Sequence, residues 1–145
     1  LSKQFWQAEH DANSVRKKDI GSLPYIHIDT EKLPFKDTTD PKLLEFQSNI
    51  KDLSTKKILN LVGQSNTELK AAYGPANLDT LTAYDMNFTE LIKTLSNWGT
   101  YLYEQEQLQD AKTVLEYGIL CKTDIKNNYV LLAKIYHKNN EISKQ

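Results

Sequence analysis

Three histidines and one cysteine are the side chains of this sequence best suited to chemistry near neutral pH. His10, His27 and His137 fall in three separate segments, and neither an H-x3-H nor a His–Cys spacing brings two of them into a metal-ligand pattern. His27 and Asp29 stand two residues apart and share one face of an extended stretch. That pair either orients an imidazole or forms a solvated loop contact. Cys121 closes an apolar helix face, which predicts a buried, inert thiol rather than a nucleophile. No glycine-rich phosphate loop, no G-x-S-x-G and no H-E-x-x-H is present. Asn87-Phe88-Thr89 matches a glycosylation sequon but falls in a helical stretch. The expectation is a protein with no catalytic residues, no metal and no cofactor.

The elements that would position any site follow from composition and pattern. The chain has 145 residues, 39% hydrophobic and 26% charged, which suits one folded domain. Eighteen basic residues against nineteen acidic ones leave a formal net charge of -1, without the basic surplus of a nucleic-acid binder. The single cysteine excludes an internal disulfide. No apolar run reaches the roughly 18 residues of a membrane span. The sequence opens on Leu1 rather than methionine and closes on "EISKQ", which reads as the start of another helix. A fragment is therefore expected, and localisation stays open.

Residues 1–20 place Leu1, Phe5, Ala8, Ala12 and Val15 on a narrow helical stripe, suited to a helix lying on the domain or to a short stalk. Residues 21–40 hold three of the four prolines and predict an extended connection pinned by Leu23-Pro24-Tyr25 and Leu33-Pro34-Phe35. Within it, "YIHID" alternates like a strand that has no evident partner. The helical domain spans 41–145. Asp40 and Pro41 signal a helix start, with Leu43, Phe46, Ile50 and Leu53 on one face. After a break at Ser54, Ile58, Leu61 and Val62 are expected to continue toward a stop at Gly63. Ser65 and Glu68 form a capping box for a short helix ended by Gly74-Pro75, and Asn77 can cap the next. Leu78, Leu81, Phe88, Leu91, Leu95, Trp98 and Leu102 then hold helical phase to about Glu104, and Asp85–Asn87 is either an interruption or a continuation. The fold class is all-α.

Gly99 lies inside that last helix, where glycine costs about 1 kcal/mol relative to alanine. A spacing accounts for it. Leu95-x2-Trp98-Gly99-x2-Leu102 is followed by Ala111-x3-Leu115 and Gly118, and 34 residues on come Tyr129-x2-Leu132-Ala133-x2-Tyr136. With this period and these small residues the chain resembles the tetratricopeptide-repeat family over about residues 92–142: one repeat at 92–125 and a half repeat at 126–145. The resemblance implies antiparallel helical hairpins in which Gly99 faces Ala111, Gly118 makes room for the next repeat, and Tyr129 and Tyr136 are core. The chain departs from the family's pattern at Leu95, Trp98 and Thr123-Asp124, where Asp124 can cap the following helix. The segments "LPYIHI" and "AAYGPANL" also look like those of small bacterial proteins that carry an N-terminal membrane anchor before such a domain.

What the family resemblance implies for function is a protein-binding module. Its groove would be lined by Ser96, Thr100 and Tyr103 from the first helix and by Val130, Lys134 and His137 from the next. Ser96, Thr100 and Leu131 stand where the family's basic carboxylate clamp would need other residues, so that ligand class is not expected. The expected partner is a short protein segment, with no nucleic acid, and with a membrane engaged only through a segment outside this sequence. The rival readings are an accessory or sensor part of an enzyme, and a spacer that self-associates through residues 1–20.

Overall fold

A computed structural model describes residues 3–144, with side chains to residue 141. These residues form six α-helices and two short 3-10 turns, and no strand occurs among them. The helices are α1 (Lys3–Asn13), α2 (Pro41–Leu53), α3 (Asn66–Tyr73), α4 (Leu78–Glu104), α5 (Leu108–Leu120) and α6 (Lys126–Lys144). The all-α expectation holds. The chain divides into two compact units, Leu1–Ile26 with Lys57–Phe88, and His27–Lys56 with Thr89–Gln145.

In the first unit, Ser65 accepts the Glu68 backbone N–H while the Glu68 side chain returns to the Ser65 N–H, and this capping box starts α3. Gly74 ends α3 at φ +90°, a conformation that side chains with a Cβ rarely adopt. The backbone of Arg16 and Lys17 passes directly over it. Asn77 does not cap α4; its buried amide donates to the Lys18 and Tyr73 carbonyls and ties the two segments together. Leu59, Leu61, Leu69 and Leu81 make the core, with Ile20, Leu23, Tyr25, Tyr73, Leu78 and Tyr84 around them.

Two helical expectations in this unit are corrected. The first helix ends at Asn13 rather than running to residue 20, and Ala12 is its one buried residue among those described. Phe5 and Ala8, expected on the packed stripe, are exposed, and Leu1 lies outside the described residues. A side-chain tie replaces the apolar one: Glu9 takes the Lys70 ammonium at 2.6 Å and the Thr67 hydroxyl. Residues 57–61 are irregular instead of helical, and Val62 enters a turn with Gly63. Ile26 N–H donates to the Ile58 carbonyl and Leu59 N–H to the Tyr84 carbonyl. Ile58 and Leu59 are both buried, while Val62 is exposed, and Gly63 sits in a turn rather than at a helix stop.

The second unit holds the remaining helices. Asp40 caps α2 by accepting the Lys42 N–H, and Ser54 ends it. Residues 27–40 form the expected connection, with one 3-10 turn at Thr30–Lys32 capped by Asp29. α4 runs unbroken through Asp85–Asn87, residues 78–88 belonging to the first unit and 89–104 to the second. Its deepest positions, Leu91, Leu95, Trp98 and Leu102, are those that the helical phase predicts. Phe35 packs on Trp98 with ring centroids 5.4 Å apart.

Gly99 finds its explanation in this unit. A Cβ built on it would stand 2.6 Å from Leu115 Cγ and closer still to one of its methyls. The partner of Gly99 is therefore Leu115, not the expected Ala111. This contact joins the second half of α4 to the middle of α5. α5 meets α6 similarly: a Cβ on Gly118 would lie 3.0 Å from Asn128 Oδ1, and Asn128 Nδ2 donates to the Leu115 carbonyl at 2.7 Å.

The register of α6 is also corrected. Asn128, Leu131, Leu132 and Ile135 are its buried face, whereas Tyr129 and Tyr136 are 45% and 46% exposed and Ala133 is exposed. One residue is 100° of helix rotation, so the face that packs on α5 is not the one carrying the tyrosines. Tyr129 instead donates its hydroxyl to the Thr123 carbonyl, and Tyr136 lies under the Lys112 ammonium. Thr123, not Asp124, supplies the side-chain bond at the start of α6, accepting the Ile125 N–H. "EISK" is the last turn of α6 rather than the start of another helix.

Candidate functional site

The chemistry-bearing residues stay apart. Among the described residues no group of three or more His, Cys, Asp or Glu is placed to hold an ion. His27 and Asp29 are exposed; the Asp29 carboxylate is used in capping the 3-10 turn, and its backbone N–H donates to the Tyr117 hydroxyl. Cys121 is buried, and desolvation pushes its thiol up to about 11, so the thiolate is scarce at neutral pH.

The groove residues fare differently from one another. Ser96 is only 5% exposed and does not line a surface. Its carbonyl accepts the Thr100 hydroxyl at 2.7 Å. Thr100 is half-buried and also accepts from Asn127 Nδ2 at 3.1 Å, which links α4 to α6. Tyr103 is half-buried, with Lys138 Nζ 4.8 Å from its ring centroid, a second link between the same helices. Val130, Lys134 and His137 are exposed on α6, and His137 Nε2 lies 3.0 Å from the Glu141 carboxylate.

Beside Thr100 an open cleft of about 240 Å³ is lined by Asn97, Tyr101 and Glu104 of α4 and by Lys42, Glu45 and Phe46 of α2. Sequence reasoning missed this α2 wall, because no 34-residue shift relates α2 to α4. Asn127 and Lys138 were missed too, although their helical spacing from Val130 and Lys134 places them near the same side. Tyr101 also lines a second cleft, of about 270 Å³, that includes Lys36, Asp40, Gln105 and Gln107. The Tyr101 hydroxyl donates to Asp40, which raises the phenol and holds the carboxylate below its ordinary range. Lys42 sits 5.4 Å from the same ring.

These groups are donors, acceptors and rings set in pairs. The cleft linings hold lysines, carboxylates, amides and the Tyr101 ring. What they present is a mixed surface, the cleft beside Thr100 mainly apolar and the other mainly polar. Compared with protein-family models, with curated proteins and with solved structures, the chain matches none.

Proposed function

We propose that this chain is a non-catalytic helical binding module of the tetratricopeptide type, which holds a short segment of a protein partner along α4 and α6. The observation that carries the reading is Gly99. This glycine costs helix propensity, yet it admits Leu115 of the next helix, the close packing a helical hairpin of this type uses; Ala133, 34 residues on, keeps the spacing but is exposed. The binding surface in this proposal is Thr100, Tyr103, Val130, Lys134 and His137, without Ser96. A peptide fits these residues better than a phosphate or a metal does, because Lys134 stands among a hydroxyl, an aromatic ring and an aliphatic side chain, and the nearby Lys138 is stacked on the Tyr103 ring. The area is small, which sets the expected affinity at about micromolar.

The test is a selection of displayed random peptides on the immobilised protein, followed by titration of those selected. Lys134→Glu, at an exposed position, should weaken the selected peptides at least tenfold while leaving the thermal melt unchanged, and Tyr103→Ala should weaken them as much while circular dichroism shows the fold retained. Peptides that bind both variants as tightly as the parent would place binding elsewhere and end this assignment.

A further inference from the structure

The edge of the first unit formed by α1 and the residues after it has a different character. α1 lies along α3 through Glu9, and Lys18 N–H donates to the Tyr73 carbonyl at the end of α3, so both segments follow one side of that helix. Trp6 is 59% exposed and Phe5 41%, their rings edge to face at 5.5 Å. Lys3, Trp6 and His10 are spaced i, i+3, i+7 and share a face that does not contain the buried Ala12. Arg16, Lys17 and Lys18 follow in a row, all exposed. Of the acidic groups nearby, Glu9 is ion-paired with Lys70, while Asp11 and Asp19, bonded to Gln7 and to the Gly21 N–H, keep their charge; Lys3, Arg16, Lys17 and Lys18 outnumber those two carboxylates.

We propose that this edge docks on an anionic phospholipid bilayer, with Trp6 entering the headgroup region and Arg16, Lys17 and Lys18 facing the lipid phosphates. Aromatic rings with one polar edge favour that depth. Exposed cations add attraction to an anionic surface within a Debye length. The bilayer is favoured because an exposed indole beside a run of three cations matches both the headgroup depth at which tryptophan settles and the phosphates found there. The inference is independent of the peptide groove, since it uses none of the groove residues.

The chain carries two tryptophans, and Trp98 is already buried, so a change in emission on adding vesicles reports Trp6. The experiment titrates the 145-residue chain with phosphatidylcholine vesicles, and with vesicles containing equimolar phosphatidylglycerol. The proposal expects co-sedimentation with the anionic vesicles only, accompanied by a blue shift. Arg16→Gln/Lys17→Gln/Lys18→Gln should lower the partition on the order of a hundredfold, and Trp6→Ser should abolish the shift. These side chains are exposed, and circular dichroism checks that the variants keep the fold. Failure to bind either vesicle, equal binding to both, or anionic binding without a Trp6 shift each overturns the proposal. So does equal retention by soluble polyglutamate, which would assign the edge to acidic proteins.

Discussion

Replacing Gly99 by alanine puts a methyl group where Leu115 already sits. The new carbon would stand 2.6 Å from Leu115 Cγ, about an ångström inside ordinary carbon–carbon contact. Leu115 is fully buried, so it can yield only by leaving its rotamer or by parting α4 from α5. Overpacking of this kind costs about 1 to 3 kcal/mol. Alanine regains about 1 kcal/mol of helix propensity, so the net loss should be about 0 to 2 kcal/mol. Leu115→Ala alone opens a cavity and should cost about 2 to 5 kcal/mol. With Leu115 truncated, the obstruction is gone and only the propensity gain remains. Gly99→Ala should then stabilise the Leu115→Ala protein by up to about 1 kcal/mol. The sign reversal is the signature of direct contact. Urea titrations of the four proteins, followed by Trp98 fluorescence, measure it. If Gly99→Ala has the same effect in both backgrounds, the two residues do not touch and the close-packing account of the glycine is wrong.

The remaining predictions concern other parts of the chain. Gly74→Ala should destabilise the protein by more than about 1 kcal/mol, since its φ is +90° and the atoms in the way, Arg16 O at 2.6 Å and Lys17 Cα at 2.9 Å, are backbone; a melt no lower than the parent's would contradict this. Ser65→Ala should cost about 1 kcal/mol through loss of the α3 cap, and a Tm unchanged within error would count against the capping box. Cys121, with its thiol raised to about 11, should resist alkylation at pH 8 until denaturant is added; prompt modification of the native protein would show the thiol to be accessible. Asp40 is held below the ordinary carboxylate value by the Tyr101 hydroxyl, so its contribution to stability is complete above that value and fades as pH falls toward the lowered one. Asp40→Asn should flatten that part of the acid limb in a pH series of melts, and an identical acid limb would refute the assignment.

Much of the fold is legible where the signal is local. Asp40-Pro41 and the Ser65–Glu68 box act through bonds within one helical turn, and the structure has both. The 57–62 segment is misread because Ile58, Leu61 and Val62 mimic a helical spacing, although consecutive burial of Ile58 and Leu59 belongs to an irregular chain covered on two sides. α6 is misread by one position because the repeat spacing aligns sequence, whereas burial depends on which helices are present to pack. Ser96 illustrates the same limit at the site. α4 buries Thr94, Leu95, Ser96 and Trp98, wider than a single stripe, so a polar residue beside the stripe is still inside.

The central claim is that the α4–α6 surface receives a protein segment. Hydrogen–deuterium exchange of the intact chain, with and without a saturating selected peptide, tests it most directly. The account predicts added protection in the second half of α4 around Thr100–Tyr103 and in α6 around Val130–His137, with α1 and α3 unchanged. Protection confined to α1 and α3, or none at α4 and α6 under saturation, would contradict it.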